Sequence, residues 1–199
     1  MIPVFTICVI ILMIIFTVGR VRNTHAQQQV QDDFWERERQ ANNTRKQDIS
    51  QLDYITIPLE EFPLNLGTKT ELTLQELADK KILNLTGYTN TDLKLTYGQA
   101  NFSFLSECDD NFTRLVPALS KYAHELLDAG READAVKVLR FGVSIHADSS
   151  DIYTELAQIY QAKHNTAGIE ELIQSAGELR SMTRDSLVRK LENYLPKEE

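Results

Sequence analysis

The chain is poor in the residue types that carry chemistry. Among 199 residues there are two cysteines, four histidines and one tryptophan. Cys8 sits in an apolar run and Cys108 in the polar remainder, which excludes a disulfide between them on geometry. Neither cysteine has a metal-ligand spacing. His25, His124, His146 and His164 are scattered, and on a helix the Glu125 beside His124 points away from it. No Gly-rich phosphate loop and no serine nucleophile elbow occurs. Glu107, Asp109 and Asp110 form an acidic knot, but the spaced Asp, Asn and Gly of a calcium loop and its closing Glu are missing, so helix capping explains the knot better. No catalytic residue, cofactor, metal site or small-molecule substrate is expected, and the chain is not expected to be an enzyme.

Basic residues are scarce as well. There are 21 Lys and Arg against 29 Asp and Glu, and over residues 23–199 the count is 19 against 29, a balance of −10. Nucleic-acid affinity comes largely from Lys and Arg on phosphates, so a nucleic-acid partner is excluded.

Charge is wholly absent from residues 2–18, IPVFTICVIILMIIFTV, which Arg20 and Arg22 follow. Such a run extends about 26 Å as a helix, close to the hydrocarbon thickness of a bilayer. No Lys or Arg precedes it, unlike the start of a signal peptide. A single-pass anchor over residues 1–19 is therefore expected. The two arginines on its C-terminal flank vote for a membrane localisation with the C-terminal domain cytoplasmic. Residues 20–50 contain no Pro or Gly and read as a polar helical stalk, with Val30, Phe34 and Ala41 near helical spacing.

Residues 51–110 mix signals. Leu52 to Leu59 is β-rich and stopped by Pro58 and Pro63, Glu71 to Lys81 reads as a short helix, and Ile82–Thr86 and Leu93–Tyr97 read as short strands or extended chain. Four Asn-X-Ser/Thr sequons, at Asn42, Asn84, Asn101 and Asn111, are taken as chance.

From residue 111 a pattern returns. Leu119, Tyr122, Ala123 and Leu126 are followed 34 residues later by Tyr153, Leu156, Ala157 and Tyr160; Ala135, Leu139 and Gly142 are followed by Ile169, Ile173 and Ala176. Such a period marks stacked helical hairpins. Helices are expected from Asp110–Asn111 to Gly130, with Pro117 in the first turn or at a kink, then from Arg131, from Ser149–Ser150, and after Asn165. A last helix, Ser186 to Leu195, would seal one end through Leu187, Leu191 and Tyr194. Residues 51–110 would cap the other.

These residues resemble the tetratricopeptide repeat, with aromatic and Leu anchors on the first helix of each pair and a small–large–small set on the second. Leu119 stands where that family often has Trp, Tyr122 where it has Leu, and Ala147 where it has a closing Pro. The resemblance implies a mainly α fold, an α-solenoid of helical hairpins over 111–199, with an N-terminal transmembrane helix and a mixed or extended capping segment before it. It also implies a partner groove on the first helices, lined by Ser120, His124, Leu127 and Asp128 and by Thr154, Gln158 and Gln161. That groove reads as polar and nearly uncharged. Ser120, His124, Thr154 and Gln158 stand where chaperone-binding members hold a peptide carboxylate with Lys and Asn, so that mode is not expected. The expected function is a membrane-anchored scaffold binding a protein partner on the cytoplasmic side. The alternative is an extracytoplasmic envelope protein acting in surface assembly or secretion.

Overall fold

The computed structural model describes Met13, Phe16 and residues 27–196. The described residues contain eight helices and no strand. They are α1 (27–43), α2 (Lys69–Ala78), α3 (Asn90–Tyr97), α4 (Phe102–Asp128), α5 (Glu132–Ser144), α6 (Ser150–Ala162), α7 (Thr166–Gly177) and α8 (Arg184–Glu192). They fall into two compact units: 27–47 with 90–100, and 48–89 with 101–196.

In the first unit the stalk helix does not stand free. Ala41 of α1 is fully buried and Leu93 of α3 nearly so. The Glu38 carboxylate accepts from Thr91 Oγ1 and from Lys94 Nζ (3.0 Å), which holds it below the usual carboxylate range, the Thr91 bond contributing most. Arg37 reaches Asp92 at 2.9 Å. After α1 the chain runs beside the end of α3, where the Gln47 N–H donates to Tyr97 O (3.0 Å). Gly98 has φ +86°, and a Cβ there would stand 2.4 Å from Arg45 O. Val30, Phe34 and Trp35 remain exposed, the last two in edge-to-face contact at 5.3 Å.

The second unit holds the repeat. Leu119, Tyr122, Ala123, Leu126, Ala135, Leu139, Gly142, Tyr153, Leu156, Ala157, Ile169 and Ala176 are all buried, and Tyr160 and Ile173 pack partly buried against them. Helices α4 to α8 pack each on the next, and α6 also touches α4 and α8. Small residues permit the approach. A Cβ on Gly142 would meet Ile152 Cδ1 at 2.9 Å, and one on Gly168 would meet the Tyr160 ring at 2.6 Å.

The helix ends repeat too. After α4 the Arg131 N–H donates to Leu126 O (2.8 Å) and the Gly130 N–H to Leu127 O (2.9 Å), a Schellman end with Gly130 at φ +73°. After α6 the Asn165 N–H donates to Tyr160 O (2.8 Å) and the His164 N–H to Gln161 O (3.0 Å), with His164 at φ 54°. Gly130 and His164 are 34 positions apart. His146 closes α5 in the same way at φ 52°. Two of the four histidines are thus helix-terminating residues.

Helix α4 begins at Phe102, ahead of the Asp110–Asn111 start expected from sequence. Its buried stripe is Leu105, Cys108, Phe112, Leu115, Leu119, Tyr122 and Leu126, alternating steps of three and four, which is one helix face without a break. Pro117 lies inside the helix on its exposed side, where it removes one N–H from the helix ladder.

Of the short strands or extended chain expected within 51–110, no strand forms among the described residues, and the extended alternative holds outside the helices. Ile55 and Ile82 make one isolated antiparallel bridge, and Leu93–Tyr97 belongs to helix α3. Residues 51–68 and 79–89 are extended chain or turns, tied to the helices by polar groups. Tyr122 Oη donates to Pro63 O (2.7 Å), Asn111 Nδ2 to Lys81 O (3.0 Å), and Asn84 Nδ2 to the carbonyls of Ile145 and His146 (both 3.1 Å). The Leu85 N–H donates to Asp109 Oδ1 (3.2 Å), which gives one member of the acidic knot its role. Phe62 packs edge-to-face on Phe141 at 5.4 Å. Helix α2, the one sequence reading placed near Glu71, opens with a capping box: Thr68 Oγ1 accepts from Glu71 N–H, and Glu71 reaches back to the amides of Leu66 and Gly67. Thr68 and Thr70 donate to the two oxygens of Glu125, which pins α2 to α4.

The expected localisation is corrected. Among the described residues no helix is long and apolar enough to cross a membrane. The run 2–18, on which the single-pass assignment rested, lies outside them except for Met13 and Phe16.

Candidate functional site

Helices α4 and α6 share a face, because the buried anchors of each pair leave the same register positions turned outward. Its seven sequence-predicted residues divide. Ser120 and Thr154 are buried between helices, and Leu127 packs partly buried against the core. His124, Asp128, Gln158 and Gln161 lie at the surface.

Two of these four are already in use. Gln158 Nε2 donates to Tyr194 Oη (3.3 Å) and Gln161 Nε2 to Tyr194 O (3.1 Å), so the chain past α8 covers the α6 end of the face. The open end lies beside α4. There Pro117, Ser120, Lys121 and His124 face Asp148, Ser149 and Asp151 across a shallow depression of about 500 Å³.

The expectation of a nearly uncharged groove is overturned by residues that sequence reading passed over. Glu155, mostly buried, brings Oε2 to 3.2 Å from His124 Nδ1, and Asp128 and Asp151 are near enough to act on it electrostatically. His124 Nδ1 is also 2.9 Å from Ser120 O. A single Nδ1 hydrogen cannot serve both acceptors, and the shorter contact to the carbonyl leaves Glu155 Oε2 without a hydrogen bond. Burial pushes the Glu155 carboxyl above its usual range, His124 opposes this, and Asp151 and Asp128 add to it. Counting 34 back from Glu155 gives Lys121, and from Asp151 gives Pro117, so the repeat itself could have pointed to both.

A raised folded-state value means the folded chain binds more protons than the unfolded one between the ordinary and the raised pKa. Stability from this group therefore falls as pH rises through that window. Glu155→Gln is expected to raise the melting temperature at pH 8 by roughly 1–3 °C, after screening by solvent and by His124. The gain should vanish at about pH 3, where the carboxyl is protonated in both states. A thermal melt at the two pH values checks this. Destabilisation at pH 8 that disappears at the lower pH would show that the carboxylate is held by a donor instead.

Among the described residues no cluster of three His, Cys, Asp or Glu could hold a metal. Cys108 is buried, and its thiol is raised first by that burial. No family model, no curated protein and no solved structure matches the chain.

Proposed function

We propose that the chain is a protein-interaction module of tetratricopeptide-like hairpins, in which α4 and α6 present a peptide-binding face. In this reading the C-terminal half of α4 with α5 is the first repeat, α6 with α7 the second, and α8 the closing helix. The observation that carries it is the double recurrence at 34 residues: the buried anchor set, and the Schellman ends at Gly130 and His164. The partner segment is a basic one. Asp128, Asp148, Asp151 and Glu155 outnumber Lys121 and His124 around the open end, and like charges across an interface are strongly unfavourable. No catalytic role is proposed.

The test is charge reversal on exposed positions. Asp128→Lys with Asp151→Lys should reduce recovery of a stoichiometric protein partner from source-cell extract at least about tenfold, two lost pairs at an interface being worth that much. The melting temperature should stay within about 2 °C, since neither carboxylate is buried. Glu170→Lys, on exposed α7 surface, is the control and should leave recovery unchanged. Equal recovery from all three proteins would remove the groove reading.

A further inference from the structure

A second cleft of this unit touches the α4–α6 face at Asp148 and is otherwise lined by other elements. Its volume is about 610 Å³, within the range of small-molecule sites. Two stretches of extended chain, around Ile55 and around Leu83, form one side. The last turn of α5 and the chain after α7 form the other. Phe141, Ile145 and Leu179 join Ile55 and Leu83 as its apolar lining, beside Thr56, Asn84, Thr86 and Ser144.

The rim has the opposite character. Asp53, Asp148 and Glu178 stand around it, against Arg180 and His146. The Arg180 guanidinium lies over the Tyr88 ring, 5.8 Å from its centroid. Asp148 Oδ1 accepts from Thr183 Oγ1 at 3.0 Å, while the exposed side chains of Asp53 and Glu178 have no partner among the described residues. The C-terminal ends of α5 and α7 contribute lining residues here, and the negative end of a helix dipole adds to the carboxylates. Within electrostatic reach of Asp148 and Glu178, Tyr153 is fully buried, and its hydroxyl has no hydrogen-bond partner among the described residues. Burial, then the charges of Asp148 and Glu178, push that phenol up to about 12.

An apolar wall under an anionic rim suits a ligand with a hydrocarbon body and cationic ends. A neutral apolar ligand would leave the unpaired carboxylates unused, and an anion would be repelled. We propose that this cleft binds a free aliphatic diamine, with the methylene chain along Ile55, Leu83 and Leu179 and the ammonium groups at Asp53 and Glu178. The cleft meets the open end of the α4–α6 face at Asp148, but neither ammonium contact uses that residue, so the proposal stands or falls independently of the partner-binding reading.

The probe is 1,5-diaminopentane, titrated calorimetrically into the full chain at low salt. Saturable binding is expected, at roughly 0.1–1 mM for a ligand this small. Adding 0.5 M NaCl should weaken it, as exposed charges are screened. Asp53→Asn with Glu178→Gln should weaken it roughly tenfold, two exposed pairs being worth about that, while both residues are exposed and the fold should be unaffected. Asp128→Lys with Asp151→Lys should leave it unchanged. No saturable heat, equal heat from 1,5-pentanediol, or indifference to Asp53→Asn with Glu178→Gln would overturn the proposal. Tighter binding of an acetyl-lysine amide than of the diamine would overturn it too, in favour of a peptide side chain.

Discussion

Tyr122→Ala is expected to cost about 4 kcal/mol, the range for truncating a fully buried aromatic side chain. Tyr122 has no exposed surface, and its hydroxyl donates to Pro63 O at 2.7 Å. It therefore serves two structures at once: the ring fills the repeat core, and the hydroxyl fixes the extended chain that leads into α2. The two roles separate by substitution. Tyr122→Phe keeps the ring and loses one hydrogen bond, so it should cost only about 1 kcal/mol. In melting temperature this means a drop of roughly 3 °C for Phe and more than about 10 °C for Ala. Urea denaturation followed by circular dichroism measures both. Similar small losses for Phe and Ala would mean that the ring is not a core element.

Gly98→Ala is the second large effect, and it acts on the first unit. At φ +86° any L side chain is strained by roughly 1–2 kcal/mol. Here the Cβ would also press on backbone, 2.4 Å from Arg45 O and 2.7 Å from the Arg45 carbonyl carbon, and backbone cannot rotate aside as a side chain can. Adding an overpacking cost of about 1–3 kcal/mol gives roughly 3 kcal/mol in total. The chain around 45–47 should separate from the end of α3, and the Gln47 amide should lose its hydrogen-exchange protection. Gly67→Ala is the matched control: φ is +68°, but nothing lies within 4 Å of its Cβ. It should show the conformational cost alone, about 1 kcal/mol. Equal effects of the two substitutions would mean that Arg45 does not lie where the structure places it.

These two sites also show what the sequence could and could not convey. Tyr122 was legible because it belongs to a set that recurs after 34 residues, and every spacing in that set is a helical one. The recurrence located the hairpins and their anchors, and even the turn at Gly130. It did not reach back to Phe102, because the charges at Glu107, Asp109 and Asp110 interrupt a stripe that Leu105 and Cys108 in fact continue. Those charges point outward or, for Asp109, onto Leu85 N–H, and so leave the apolar face intact.

Leu93–Tyr97 misled for a different reason. Leu93, Leu95 and Tyr97 alternate as in a strand, yet only Leu93 is buried. The segment is helical because Thr91 and Lys94, three apart, meet the same Glu38 carboxylate on α1, a contact with no local signature. The candidate face was half legible. Its register came with the resemblance to the tetratricopeptide repeat, and His124 and Asp128 do lie at the surface. Its charge did not come with it, because Glu155 sits one position from Thr154 and looks like an ordinary solvent residue until α4 is laid against α6. Tyr194 was foreseen as a packing residue but not as a cover for Gln158 and Gln161, since that depends on where the chain turns after α8.

The measurement that bears most directly on the proposed interaction face is site-specific photocrosslinking. A benzophenone amino acid at Lys121, beside the open end of the face, is compared with one at Lys137, on exposed α5 surface. Crosslinking in source cells from position 121 but not 137, to a protein whose linked peptide is rich in Lys and Arg, is the result expected from a basic segment lying along α4 and α6. Crosslinks from 137 alone, or none from 121 while the partner still co-purifies, would contradict it and move the interaction elsewhere on the chain.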